Sequence, residues 1–119
     1  MKKTLVIGAT TNPGRYAYMA TEMLMEYGHP VVPFGIKKGK IGDLEIVNEF
    51  PVKEEFDTVT LYVNPNLQQQ YQQAIIDLNP KRVVFNPGTE NPEFEKLLKE
   101  RGIEPIEACT LVMLRTNQF

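Results

Sequence analysis

The chain has 119 residues, 42% hydrophobic and 24% charged, with one Cys, no Trp and a formal net charge of −2. That length fits one domain able to bury roughly 65% of its unfolded surface, and a lone cysteine excludes a disulfide framework and a Cys-based zinc site. The near-neutral charge gives no reason to expect nucleic acid or an anionic membrane as partner, and no apolar run nears the ~20 residues of a spanning helix. The expectation is a soluble, cytoplasmic, single-domain globule over residues 1–119.

Short apolar runs alternate with longer helix-type runs along the chain. Leu5-Val6-Ile7 comes first, and Tyr16, Ala20, Met23, Leu24 and Tyr27 then fall on one face at three- and four-residue spacing. Val31-Val32-Pro33-Phe34 is the second run. Residues 36–56 are irregular: a polar loop through Lys37, Lys38 and Lys40, a short strand at Leu44-Glu45-Ile46-Val47, and no more than a helical turn at 51–55. Val59-Thr60-Leu61-Tyr62-Val63 follows, then a helix carrying Leu67, Tyr71, Ala74, Ile75 and Leu78, with a glutamine cluster at 68–73. Val83-Val84-Phe85, a helix marked by Phe94, Leu97 and Leu98, and a last strand at 103–106 complete the alternation. Asn12-Pro13, Asn64-Pro65 and Asn91-Pro92 each place a capping residue before a proline at the first helical position. Gly28 and Gly102 stand where left-handed C-caps belong. Continuous apolar strands separated by helices predict a doubly wound parallel α/β sheet.

Open parallel sheets bind ligands beyond the carboxyl ends of their strands, where strand order reverses, so the loop after the first strand is the first candidate. It reads Gly8-Ala9-Thr10-Thr11-Asn12-Pro13-Gly14-Arg15. Gly8 permits a sharp turn, the following helix offers free N–H groups, Thr10, Thr11 and Asn12 add short polar side chains, and Arg15 suits a phosphate. The spacing is neither that of a dinucleotide fingerprint nor that of a P-loop. After the second strand an NAD site carries an acidic residue for the ribose; here stand Lys37, Lys38 and Lys40, which favour a nucleotide with an extra ribose phosphate. The same lysines also suit an ordinary solvated loop. Val63-Asn64-Pro65-Asn66 and Asn86-Pro87-Gly88-Thr89 face the same edge.

In order along essentially the whole chain, several segments match one family. They are Val6-Ile7-Gly8-Ala9-Thr10 with Asn12-Pro13 and Arg15, then Tyr27-Gly28-His29-Pro30-Val31-Val32-Pro33, Asp57-Thr58-Val59, Asn86-Pro87-Gly88-Thr89-Glu90, and a cysteine, Cys109, after the last strand. On these residues the sequence resembles the small CoA-binding-domain proteins, stand-alone relatives of the N-terminal domain of the succinyl-CoA synthetase alpha subunit. The resemblance implies a Rossmann-like fold with strand order 3-2-1-4-5 and coenzyme A as ligand. It implies a phosphate-holding loop at Gly8, Ala9, Thr10, Thr11, Asn12 and Arg15, and a nucleotide contact at Lys37. The arm of the ligand would be bordered by Val63, Asn64, Pro65, Asn86 and Gly88, with Cys109 near its thiol end. The first loop and the Ile36-Lys37-Lys38 stretch depart from the common family pattern, and the synthetase's second domain is absent.

No catalytic group stands out. His29, the only histidine, reads as an exposed turn residue at the amino edge of the sheet. Cys109 has no histidine to activate it and reads as a small buried hydrophobe. The acids do not cluster as a metal site would require. The apolar run Thr110-Leu111-Val112-Met113-Leu114-Arg115 fits packing on the sheet edge or a contact between two copies. The resemblance thus implies a CoA- or acyl-CoA-binding module, non-catalytic alone or served by a separate catalytic partner. A small NAD(P)-dependent enzyme or a nucleotide-sensing regulator remains the alternative.

Overall fold

The computed structural model describes residues 1–119. Its strands are β1 (Thr4–Ile7), β2 (Val31–Phe34), β3 (Lys40–Ile41), β4 (Leu44–Glu45), β5 (Thr58–Leu61), β6 (Arg82–Phe85) and β7 (Glu104–Glu107). All four residues of β1, β5 and β6 are buried, which follows from helices covering both faces of the sheet. The helices are α1 (Tyr16–Glu26), α2 (Pro65–Gln68), α3 (Gln72–Leu78), α4 (Pro92–Glu100) and α5 (Thr110–Arg115).

The main sheet is parallel throughout, in the order β2-β1-β5-β6-β7. Alternate residues feed two cores. Leu5, Ile7, Val59, Leu61, Val83 and Phe85 pack against Ile75 and Ile76 of α3 and Phe94 and Leu98 of α4. Val6 and Val31 face the other way, onto Leu24 of α1 and Leu114 of α5. Phe85 and Phe94 meet edge to face at 5.8 Å, a geometry that adds to their burial. The α/β, Rossmann-like reading of the sequence therefore holds.

Several details differ from expectation. The order 3-2-1-4-5 requires a third strand outside β2; the full strands of this sheet instead run 2-1-3-4-5. Leu44-Glu45 folds back on Lys40-Ile41 as a hairpin, leaving Val47 to make one parallel bridge to Phe34. Pairing stops there because the Asn48 amide turns in to the carbonyls of Gly35 and Lys37, and Pro51 brings no donor. The buried stripe of α1 is Ala17, Ala20, Thr21 and Leu24, so Tyr16 and Tyr27 lie exposed rather than inward. Asn64 and Asn91 cap α2 and α4 through the amides of Leu67 and Phe94. The expected helix over 67–78 is broken by a 3-10 turn, Gln69–Tyr71. The closing apolar run forms α5, packed against α1.

His29 lies at the amino edge of the sheet as expected, but half-buried. Its Nδ1 accepts from the Lys2 amide at 3.0 Å and its ring meets Phe119 at 5.0 Å. Phe119 also covers the buried Arg82 guanidinium, 4.4 Å away, whose Nε donates to Thr58 Oγ1 at 2.8 Å. Burial, then the nearby Lys2 ammonium, the N-terminal amine and Arg82, hold the imidazole below its ordinary range, with Asp57 opposing. As pH falls, the unfolded chain takes up this proton first. The contribution of His29 is whole above its ordinary value of 6.5 and shrinks as pH drops through the lowered one. We expect the urea midpoint to decline as pH falls below 6.5, and His29→Asn, which keeps an acceptor without a titrating ring, to flatten that part of the decline.

Candidate functional site at the carboxyl edge of the sheet

The register places the strand ends side by side: Ile7 pairs with Phe34 and Leu61, Leu61 with Phe85, and Phe85 with Glu107. The loops beginning at Gly8, Gly35, Tyr62, Asn86 and Ala108 therefore emerge along one edge. The chain leaves β1 toward α1 on one face and β5 toward α2 on the other, so the strand-order reversal, where such sheets are expected to take a ligand, lies between the loops that begin at Gly8 and Tyr62.

Backbone contact shapes the first loop. Phe34 O accepts from both Gly8 N (3.0 Å) and Ala9 N (2.9 Å). Gly8 turns at φ +99°, where a side chain would be strained, and a Cβ there would lie 3.0 Å from Tyr62 O and 3.1 Å from Val63 Cγ1. A Cβ on Gly35 would overlap Ala9 O, so these two loops meet backbone to backbone. A Cβ on Gly39 would likewise overlap Thr11 Cγ2, which sets the lysine loop against the first loop.

The start of α1 corrects one expectation. Asn12 does not cap it. Its Oδ1 instead accepts from Gly14 N at 2.9 Å, its own amide donates to Thr10 Oγ1 at 3.2 Å, and the helix begins at Tyr16 after an extended Arg15. The amides of Thr10 and Thr11, and those of Tyr16 and Ala17 in the first turn of α1, have no partner in the protein. Thr11, Asn12 and Arg15 are exposed, while the Ala9 side chain is buried and offers only backbone. Lys37, Lys38 and Lys40 are exposed too, and neither they nor Arg15 makes an ion pair. A surface groove of ≈ 550 Å³ runs from Lys38 along Val47, Asn48, Phe50 and Pro51, with Glu49 and Glu54 also lining it.

The other half of the edge is tied together by buried amides. Asn86 Nδ2 donates to Thr60 Oγ1 (2.7 Å) and Leu61 O (2.8 Å), and its Oδ1 accepts from Thr110 N at 2.8 Å. With its side chain 1% exposed, Asn86 acts as a strut between β5, β6 and α5, and what it can offer a ligand is the loop it holds. Gln68, hidden in the glutamine cluster and not singled out from the sequence, does the same one layer out. Its Nε2 donates to Val63 O (2.9 Å) and Thr89 O (2.7 Å). Val63 and Pro65 are half-buried at the crevice, whereas Asn64 and Gly88 are exposed.

Cys109 is half-buried rather than buried, and precedes α5 in extended conformation. Tyr62 lies beside it. Burial pushes the Tyr62 phenol well above its ordinary range, opposed by the neighbouring Thr110 and Thr60 hydroxyls, which bond each other at 2.8 Å. No three of His, Cys, Asp and Glu converge as metal ligands, and no helix is long and apolar enough to cross a membrane.

A model of the CoA binding domain matches residues 2–115. The chain belongs to that family. An uncharacterised protein of known crystal structure is 55% identical to this CoA-binding-domain chain, covering 100% of it and 98% of its own length, with a TM-score of 0.97. A Thermus thermophilus protein is 29% identical over 99% of this chain and 91% of its own, with a TM-score of 0.85. An acetyl-coenzyme A synthetase of Ca. Korarchaeum cryptofilum shares the fold at a TM-score of 0.73 with 13% identity, and this chain spans 26% of it. Among curated proteins none matches.

The loop contacts predict unequal costs for adding one methyl group. Gly35→Ala drives a Cβ into the Ala9 carbonyl and should destabilise by about 2–3 kcal/mol. Gly14→Ala meets only the movable Asn12 Oδ1, at 3.3 Å and without positive φ, and should stay within about 0.5 kcal/mol. Urea unfolding of the two variants checks the contrast.

Proposed function

We propose that this protein is a CoA-binding module that holds coenzyme A or an acyl-CoA in the crevice and performs no acyl chemistry alone. The observation that carries the reading is the pairing of four unpartnered amides, at Thr10, Thr11, Tyr16 and Ala17, with four unpaired cations, Arg15, Lys37, Lys38 and Lys40, in a chain of this family. Amides at a loop and helix start suit a pyrophosphate. The lysine loop, set against the first loop through Thr11 and Gly39, suits a further phosphate on the ribose. The arm of the ligand would run past Val63, Asn64, Pro65 and Gly88 toward Cys109.

A nicotinamide dinucleotide is disfavoured at the same place, because Phe34-Gly35-Ile36-Lys37-Lys38 carries no carboxylate for the ribose hydroxyls. Cys109 lacks a base, since the only histidine packs at the opposite edge of the sheet. A separate partner, working in the cytoplasm, would then supply any acyl transfer. We expect no thioesterase, ligase or dehydrogenase turnover from the chain itself.

Calorimetric titration tests the reading. A charge-assisted contact contributes ~1.5–3 kcal/mol when desolvated and less at exposed lysines, so dephospho-CoA should bind about three- to tenfold more weakly than CoA. Changing Lys37 and Lys38 to Gln should shrink that gap. Arg15→Ala should weaken both ligands equally, through the pyrophosphate. Equal affinities of the unaltered protein for the two ligands would make the lysines an ordinary solvated loop, and no binding of CoA at all would end the proposal. Native mass spectrometry of freshly purified protein offers an independent check for co-purified CoA.

A further inference from the structure

Beyond the strand ends, the loops that follow β5 and β6 are joined by one hydrogen-bonded bridge, the side chain of Gln68. It is 0% exposed and ends α2 where the helix gives way to the 3-10 turn. Both hydrogens of its amide go to loop carbonyls, Val63 O on one side and Thr89 O on the other. Its Oε1 accepts from Asn91 Nδ2 at 2.9 Å, while the Asn91 Oδ1 caps α4. All three partners are fixed in turn. Val63 belongs to the loop that Gly8 abuts, Thr89 is bonded through its amide and hydroxyl to Asn86 O, and Asn91 starts a helix anchored by Phe94 in the core.

An apolar side chain of similar length would fill the same space, so volume alone does not require an amide here. What an amide adds is length and direction, because a hydrogen bond fixes the separation of the groups it joins and an apolar contact does not. We propose that Gln68 is a positioning residue of the crevice: its buried amide sets the spacing between the 62–66 and 86–90 loops, and with it the width of the groove that takes the arm of the ligand. The proposal rests on the CoA reading above. Gln68 reaches no ligand itself and acts through the Val63 and Thr89 carbonyls.

Three variants separate this role from simple support of the fold. Gln68→Met keeps size and removes the bridge. Asn91→Ser keeps a cap for α4 but removes the bond that orients the Gln68 amide. Leu98→Ala opens a cavity in the core between α4 and the sheet and lowers the melting temperature without touching either loop. Titrations with CoA and dephospho-CoA are made at a temperature where every variant is folded. Gln68→Met should weaken both ligands about fivefold and Asn91→Ser about twofold, with the ratio between the ligands unchanged because the lysine loop is intact. Leu98→Ala should bind as the unaltered protein does.

Unaltered affinity in both loop variants would overturn the proposal. So would a loss of affinity in Leu98→Ala as large as in Gln68→Met. If Gln68→Met does not fold, Asn91→Ser decides: wild-type affinity there overturns the proposal and a parallel loss for both ligands supports it. Failure of the unaltered protein to bind CoA is a different result, seen before any variant is made, and it overturns the CoA reading together with this one.

Discussion

The carbonyl group of Phe34, which receives the amides of both Gly8 and Ala9, is the contact on which the carboxyl edge depends. Holding two successive amides on one oxygen stops the strand pairing of β1 and turns the chain at positive φ on Gly8. The turn brings Ala9 O against Gly35, which tolerates no Cβ. From there the chain makes the short Asn12 turn and enters α1 late, leaving the amides of Thr10, Thr11, Tyr16 and Ala17 without partners in the protein. Free amides in a loop so tightly constrained are pre-organised: their cost is met in folding rather than in binding.

The second half of the edge is held differently. Asn86 and Gln68 replace backbone contact with buried side-chain amides, each satisfied at three points. Such networks are demanding, since a missing partner leaves a buried polar group unpaired at about 1–3 kcal/mol. They also restrict motion in a way the apolar cores beneath them do not. One loop is thus shaped by close approach of backbones and the others by hydrogen-bonded struts, and both depend on the parallel register that ends the strands together.

The sequence made the strands legible because all-buried parallel strands read as unbroken apolar runs, and Asn64-Pro65 and Asn91-Pro92 marked true helix starts. Asn12-Pro13 carries the same signal and means something else. Its side chain reaches Gly14, two residues on, before a helix can use it, and the dipeptide alone does not reveal that competition. The third strand failed for a related reason, since Asn48 bonds the carbonyls of the β2 exit and ends pairing after Val47. Gln68 was hidden by company. Within a polar run no periodicity separates one inward glutamine from its exposed neighbours, and only its partners Val63 and Thr89 reveal its orientation.

Charge tells the two edges of the sheet apart more clearly than composition does. At the amino edge several cations have structural company: Lys3 meets Glu54 at 2.8 Å, Lys81 lies 3.8 Å from Asp57, and Arg82 bonds Thr58 beneath the Phe119 ring. Even His29 is spent on an amide and a ring. At the carboxyl edge Arg15, Lys37, Lys38 and Lys40 stand exposed and unpaired around free amides. Acids also stand near the lysine loop, with Glu45 across the hairpin from Lys40 and Glu49 lining the groove that starts at Lys38, yet none forms an ion pair with these cations. Exposed cations without a partner contribute little to stability, and these four stand on the two loops that meet at Thr11 and Gly39, one of which also carries unpartnered amides.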